Sequence, residues 1–178
     1  EIQAVDAAGN ISFGAITDGM VVDIRVPDSE ISISNIFYNT TGWDAAVAIQ
    51  GSADDPTSGL ANVVIALLRV GDQKYWNGSG WVASETWNGV TGTTSWSYTL
   101  ASSALTDGFT YQVFSKATDN VDNVQTIYGE DSFTYDTTEP NTVFSIPDDF
   151  YNNAGWTSTD HIQGTAGDST SGIPDVHV

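Results

Sequence analysis

The chain repeats itself. Displaced by 113 positions, residues 1–65 fall on residues 114–178 without a gap, and about a third of the pairs are identical. Phe37-Tyr38-Asn39 meets Phe150-Tyr151-Asn152, Gly42-Trp43 meets Gly155-Trp156, and Ile49-Gln50-Gly51 meets Ile162-Gln163-Gly164. Asp6, Asp23 and Asp55 fall on Asp119, Asp136 and Asp168. Asn10, Pro27, Thr57-Ser58-Gly59 and Val63 fall on Asn123, Pro140, Thr170-Ser171-Gly172 and Val176. Unrelated stretches share a handful of residues at one offset and do not align glycines and a tryptophan in the same block. The repeat sets a division into three parts. Residues 1–26 are the last strands of a preceding module, 27–139 one complete module, and 140–178 the first strands of a following module. The joint is Asp136-Thr-Thr-Glu-Pro140, because proline has no ladder donor and fixes the chain direction.

Within the complete module, period-two alternation and β-branched residues predict strands, with Gly, Asn and Asp clusters between them. The first lies around Ile31, Ile33 and Ile36. Others cover 45–52, 60–70, 74–76, 81–83, 93–100, 109–117, 124–128 and 132–135. Asn77-Gly-Ser-Gly80 reads as a hairpin turn, and no stretch carries a helical stripe. Tyr111 follows the tight turn at Asp107-Gly108 and opens a late strand, the position of a tyrosine corner. Many short strands at this spacing predict an all-β fold of tandem immunoglobulin-like β-sandwich modules.

The charge is lopsided: 23 Asp and Glu against 4 Lys and Arg, a net −19. Such a surface repels phosphate backbones and bare anionic membranes, which excludes nucleic acid and direct membrane insertion as partners. Its field attracts cations, although plain solvation of a surface protein accounts for the same acidity. No apolar run reaches the length of a membrane span, and the opening residues read as mid-strand. With no cysteine, disulfides and thiolate metal sites are excluded.

Several of these motifs also occur together in one family. Ile49-Gln-Gly-Ser-Ala-Asp-Asp-Pro-Thr-Ser-Gly59 with Val63 resembles the opening of bacterial and archaeal Ig-like (Big-type) surface repeats. Tyr75-Trp-Asn-Gly-Ser-Gly-Trp81, Trp96-Ser-Tyr98, Asp107-Gly108 with Tyr111, Ala117-Thr-Asp119 with Asn123, and Asp136-Thr-Thr-Glu-Pro140 are similar to the same family in order. The resemblance implies long extracellular or cell-surface proteins of stacked sandwiches, serving as stalks, fibres or sheaths, often with calcium near module joints. One departure stands out. The turn Asp6-Ala-Ala-Gly-Asn10 becomes Asp119-Asn-Val-Asp-Asn123, so Asp122 replaces a glycine.

Calcium takes oxygen ligands from carboxylates and carbonyls. The candidate ligands are Asp6, Asp23, Asp54, Asp55, Asp119, Asp122, Asp136, Glu139 and Asp168, clustered in turns and near joints, although Asp and Asn also simply start turns. Trp76, Trp81 and Trp87 offer a second reading as a platform for surface glycans, if exposed and coplanar. Pairing of Trp76 with Trp81 across a hairpin is the structural alternative. Asn10, Asn39 and Asn77 head N-glycosylation patterns, at no more than a chance frequency. Catalysis is not expected. The two histidines, His161 and His177, correspond to Ala48 and Val64 in the complete module, and there is no thiol nucleophile or phosphate-binding loop. A lysine–asparagine cross-link is not general either, since Lys116 corresponds to Gln3. The expected role is an extracellular structural repeat, braced by calcium and partnered by copies of itself. A cell-surface adhesin is the alternative, and an accessory module of a secreted enzyme is indistinguishable from sequence.

Overall fold

The computed structural model describes residues 3–13, 19, 21–46, 49–145 and 163–177. Among these the strands are β1 (Gln3–Val5), β2 (Ile11–Phe13), β3 (Asp28–Ser32), β4 (Phe37–Tyr38), β5 (Ile49–Asp54), β6 (Leu60–Arg69) and β7 (Lys74–Trp76). They continue with β8 (Trp81–Val82), β9 (Asn88–Gly89), β10 (Ser95–Tyr98), β11 (Phe109–Asp119), β12 (Gly129–Tyr135), β13 (Asn141–Ser145) and β14 (Gln163–Gly167). A six-residue helix, α1 (Thr40–Ala45), and a 3-10 turn at Ser102–Ala104 complete the list.

Two sheets enclose the core. One has three strands in the order β10-β5-β3. The other runs β4-β12-β11-β6-β7-β8, with β9 also pairing β6. All pairs are antiparallel except β4 with β12. In β11, inward positions alternate as the side-chain period of two demands: Tyr111, Val113, Ser115, Ala117 and Asp119 are buried. Its partner β6 buries Val63, Ile65 and Leu67. Aromatic rings fill the space between the sheets. Trp43 stacks on Phe133 with ring centroids 4.4 Å apart, and Tyr111 stacks on the same ring at 5.2 Å. Trp96 packs against β5 at Gly51, where an added Cβ would collide with its indole and with the Glu30 carbonyl. No residue with a side chain fits at 51 without moving the ring or the backbone, and glycine also stands 113 positions on, at 164. The strands β1–β2 and β13–β14 form two further two-stranded sheets outside this core.

Tyr111 anchors the turn before its own strand. Its hydroxyl accepts from the Thr106 N–H at 2.6 Å. The Asn77–Gly80 turn also forms, with the Asn77 N–H donating to the Gly80 carbonyl.

Three expectations need correction. A helix does form, because the Asn39 side chain caps the Gly42 N–H at 2.8 Å and Trp43 is driven into the core, where its Nε1 donates to the Leu100 carbonyl at 2.7 Å. The segment 124–128 is not a strand. Val124 makes a single bridge to Thr118, and Gln125 then turns inward. The Gln125 Nε2 donates to the carbonyls of Ser29 and Ile127, and its Oε1 accepts from Ala117 N–H, so its side chain replaces ladder bonds. The early strands are also displaced: the first is Asp28–Ser32, leaving Ile33–Ile36 outside, and the second starts at Ile49, since α1 occupies 40–45. Residues 47 and 48 of that expected strand lie outside the described residues, as do Phe150–Trp156 and His161.

Candidate metal centre

Asp119 closes β11, where the pairing with β6 shifts register between Thr118 and Asp119. It is fully buried. Its Oδ1 accepts the Val121 and Asn123 N–H groups at 2.9 and 2.8 Å, and its Oδ2 accepts Asn123 Nδ2 at 2.8 Å. Register then brings this corner beside the β5–β6 turn, because Asp119 pairs with Leu60. Asn120 stitches the two loops together, its N–H donating to the Gly59 carbonyl and its Nδ2 to the Ser58 carbonyl.

Asp55 begins that second loop. Its Oδ1 accepts three successive N–H groups, from Thr57, Ser58 and Gly59, at 3.0, 2.8 and 3.0 Å. The loop closes through Gly59 at φ +75°, a backbone conformation suited to glycine. The third contributor comes from the segment preceding β3. Asp23 Oδ1 accepts the Arg25 N–H, and its backbone carbonyl accepts Asn123 Nδ2 at 3.4 Å.

One carboxylate oxygen from each of Asp23, Asp55 and Asp119 falls within 4.8 Å of the other two. The Oδ2 atoms of Asp23 and Asp55 are buried and accept no hydrogen bond. Asp55 as a whole is 7% exposed. None of the ion pairs among the described residues involves these three acids. A buried carboxylate oxygen without a donor is costly, and three like charges at this spacing repel one another. One hard cation removes both penalties. The donors are all oxygens, the set taken by Ca²⁺ at about 2.3–2.6 Å, so two ligands across one ion stand up to about 5 Å apart.

The local bonds favour the ionised forms. Burial pulls Asp55 upward and the nearby Asp119 charge adds to it, but the N–H groups of Ser58, Thr57 and Gly59 outweigh both and hold its pKa below the usual carboxylate value. Asp119 follows the same pattern. Burial raises it, and the Asn123 side chain with the Asn123 and Val121 N–H groups lowers it further than burial lifts it.

The other six candidate acids stand apart from this group. Asp54 is exposed on β5, paired in register with Asp28. Asp122 and Glu139 are exposed. Asp6, Asp136 and Asp168 repeat the three local arrangements elsewhere in the chain. Asp6 accepts the Ala8 and Asn10 N–H groups on Oδ1 and Asn10 Nδ2 on Oδ2, as Asp119 does with its own loop. Asp168 accepts Thr170, Ser171 and Gly172, and Gly172 stands at φ +76°. Asp136 accepts the Thr138 N–H, as Asp23 accepts Arg25. Asp122 leaves the turn geometry unchanged: it adopts φ +68° where Gly9 has φ +85°. All three clustering acids map at the 113-residue offset onto other aspartates, whereas Asp54, Asp122 and Glu139 map onto Gly167, Gly9 and Val26.

Trp76 and Trp81 pair across the β7–β8 hairpin, with centroids 5.4 Å apart and planes tilted by 60°. Trp76 Nε1 donates to the Tyr98 hydroxyl and Trp81 Nε1 to the Ala104 carbonyl. Trp87 packs instead with Tyr128, under the Lys116 ammonium at 4.1 Å from its ring. The three rings thus do not share a plane. The three sequon asparagines are exposed, and each side chain is engaged in its own turn: Asn10 with Asp6, Asn39 with Gly42, and Asn77 with Ser79 and Gly80. His177 is exposed beside Asp175. Among the described residues no helix is long and apolar enough to cross a membrane.

Comparison with protein-family models, with curated proteins and with solved structures found no match.

Proposed function

We propose that this chain is part of an extracellular structural protein in which immunoglobulin-like sandwich modules recur every 113 residues and a calcium ion at each joint ties one module to the next. The observation that carries the reading is the group formed by Asp23, Asp55 and Asp119, with two buried oxygens lacking donors. Asp23 belongs to the segment entering the module, while Asp55 and Asp119 belong to the module itself. An ion held by all three therefore fixes the entry direction of the chain, and a stiff joint is what a stalk, fibre or sheath requires. The recurrence of all three hydrogen-bonding patterns at Asp6, Asp136 and Asp168 supports one such joint per repeat. Millimolar calcium outside cells would keep a site of ordinary extracellular affinity loaded. The carboxylates act here as ligands, so the role is non-catalytic. A melt in calcium and in chelator tests the reading: the midpoint rises with calcium, and an unchanged midpoint would leave only an acidic surface.

A second reading, an adhesin or glycan-binding module, draws support from an open groove of about 620 Å³ bordered by Trp76, Trp81, Tyr98, Ser79 and Thr106. Because Trp76 and Trp81 are tilted and tied to internal acceptors, they fit a hairpin clamp better than a flat sugar platform. A glycan array without hits would remove this reading.

A further inference from the structure

The tripeptide Trp-Asn-Gly occurs twice in this chain, at 76–78 and at 87–89. These are the two places where glycine follows asparagine, so the next amide nitrogen carries no shielding side chain. The fold sets the two asparagines differently. We infer that Asn77, and not Asn88, is a site of spontaneous covalent modification: the Gly78 amide nitrogen closes on the Asn77 carboxamide, and the residue becomes aspartate or isoaspartate.

Asn77 is exposed in the turn between β7 and β8. Its Oδ1 accepts the N–H groups of Ser79 and Gly80 at 3.0 and 2.8 Å, and the Ser79 hydroxyl at 3.0 Å. Those bonds fold the carboxamide back over the Gly78 peptide, where the chain turns at φ +93°. The Asn77 N–H is engaged by the Gly80 carbonyl, whereas the exposed Gly78 N–H has no acceptor among the described residues. Donors on Oδ1 draw charge from Cγ and stabilise the oxyanion that forms when a nitrogen adds there. Because nucleophile and carbonyl belong to adjacent residues held in one turn, closure needs no encounter.

The step needs only water. The Gly78 nitrogen gives its proton to solvent base and bonds to Asn77 Cγ. The Cγ–Nδ2 bond breaks, and ammonia leaves with a proton from water. Water then opens the succinimide. Opening at Cγ leaves aspartate. Opening at the backbone carbonyl leaves isoaspartate, with the chain rerouted through Cβ and lengthened between Trp76 and Trp81. Either product adds a carboxylate to the rim of the groove that Gly78, Ser79 and the two indoles border.

Asn88 is half-buried in β9, opposite Ile65, with Gly89 opposite Val64. Its Nδ2 donates to the Trp76 carbonyl at 2.8 Å. That bond draws the carboxamide across to β7, and the extended ladder holds the Gly89 nitrogen in place. Ring closure at Asn88 requires β9 to leave β6 first.

The test holds the whole chain in native buffer at mildly alkaline pH, beside the same chain in denaturant, and follows both by peptide mass spectrometry. Cleavage at Lys74 and Lys116 leaves both asparagines in the peptide 75–116. Electron-based fragmentation then assigns the mass gain to one residue and separates aspartate from isoaspartate. In native buffer the gain should accumulate at Asn77, with isoaspartate among the products, while Asn88 stays intact. In denaturant the two should convert together, because their tripeptides are identical. Asn77→Gln should leave the native chain without the gain. Native conversion of both residues at one rate overturns the inference, as does conversion of Asn77 in denaturant alone. A preference for Asn77 that is as large in denaturant as in native buffer would place the difference in the sequence and overturn it too.

Discussion

Replacing Asp55 by asparagine separates ion binding from loop architecture. The amide oxygen still accepts the N–H groups of Thr57, Ser58 and Gly59, so the turn into β6 persists. What changes is the second oxygen, now buried without a donor, which becomes an NH₂ group facing the two remaining carboxylates. The ion loses a charged ligand. With calcium at millimolar concentration and a site of about 10 µM, saturation contributes about 2.7 kcal/mol to the folded state. For a module of this size that increment corresponds to a midpoint shift on the order of 10 °C. Melting followed by circular dichroism, in calcium and in chelator, should therefore show a loss that depends on the ion. The variant melts well below the wild-type chain in calcium. In chelator the gap narrows, because only the charge on the acceptor of the Thr57, Ser58 and Gly59 N–H groups is lost and the repulsion with Asp119 is relieved. An equal loss in both media would refute the reasoning, since it would make Asp55 a turn residue and nothing more.

Trp43→Ala should cost about 3–5 kcal/mol by opening a cavity under Phe133, seen as a lowered denaturant midpoint. Tyr111→Phe strands the Thr106 N–H and should cost about 1–3 kcal/mol with the fold retained, measurable in the same titration. Without calcium, the folded-state pKa of Asp55 and Asp119 lies below the unfolded value of about 3.9. Their contribution is therefore complete above that pH and is lost as pH falls through the folded value, so chelated protein should lose stability only on strong acidification. A shallower acid loss for Asp119→Asn than for wild type would be consistent, since Asp55 keeps its own share; identical profiles would not.

Much of the fold was legible because the central strands obey simple rules. Leu60–Arg69 and Phe109–Asp119 show β-branched and alternating patterns that packing turned into β6 and β11. The helix was not legible, since six residues containing Gly42 cannot display a stripe, and what forms it is one cap and one buried indole. The loss of a strand after Val124 depended on a buried amide, Gln125, whose bonds reach Ser29, remote in sequence. At the candidate site, composition nominated nine acids and could not group them. Grouping required the β6–β11 register, which sets Asp119 opposite Leu60. Yet a sequence signal was present: all three acids that cluster recur at the 113-residue offset, a property shared otherwise only by their own copies and by the pair Asp18 and Asp131.

The central claim is that one cation is held by Asp23, Asp55 and Asp119, and calorimetric titration of the whole chain with calcium tests it most directly. A saturable binding event should appear in the wild-type chain, vanish in Asp55→Asn and Asp119→Asn, and persist in Asp54→Asn and Asp122→Asn. No saturable heat, or binding indifferent to Asp55 and Asp119, would contradict it.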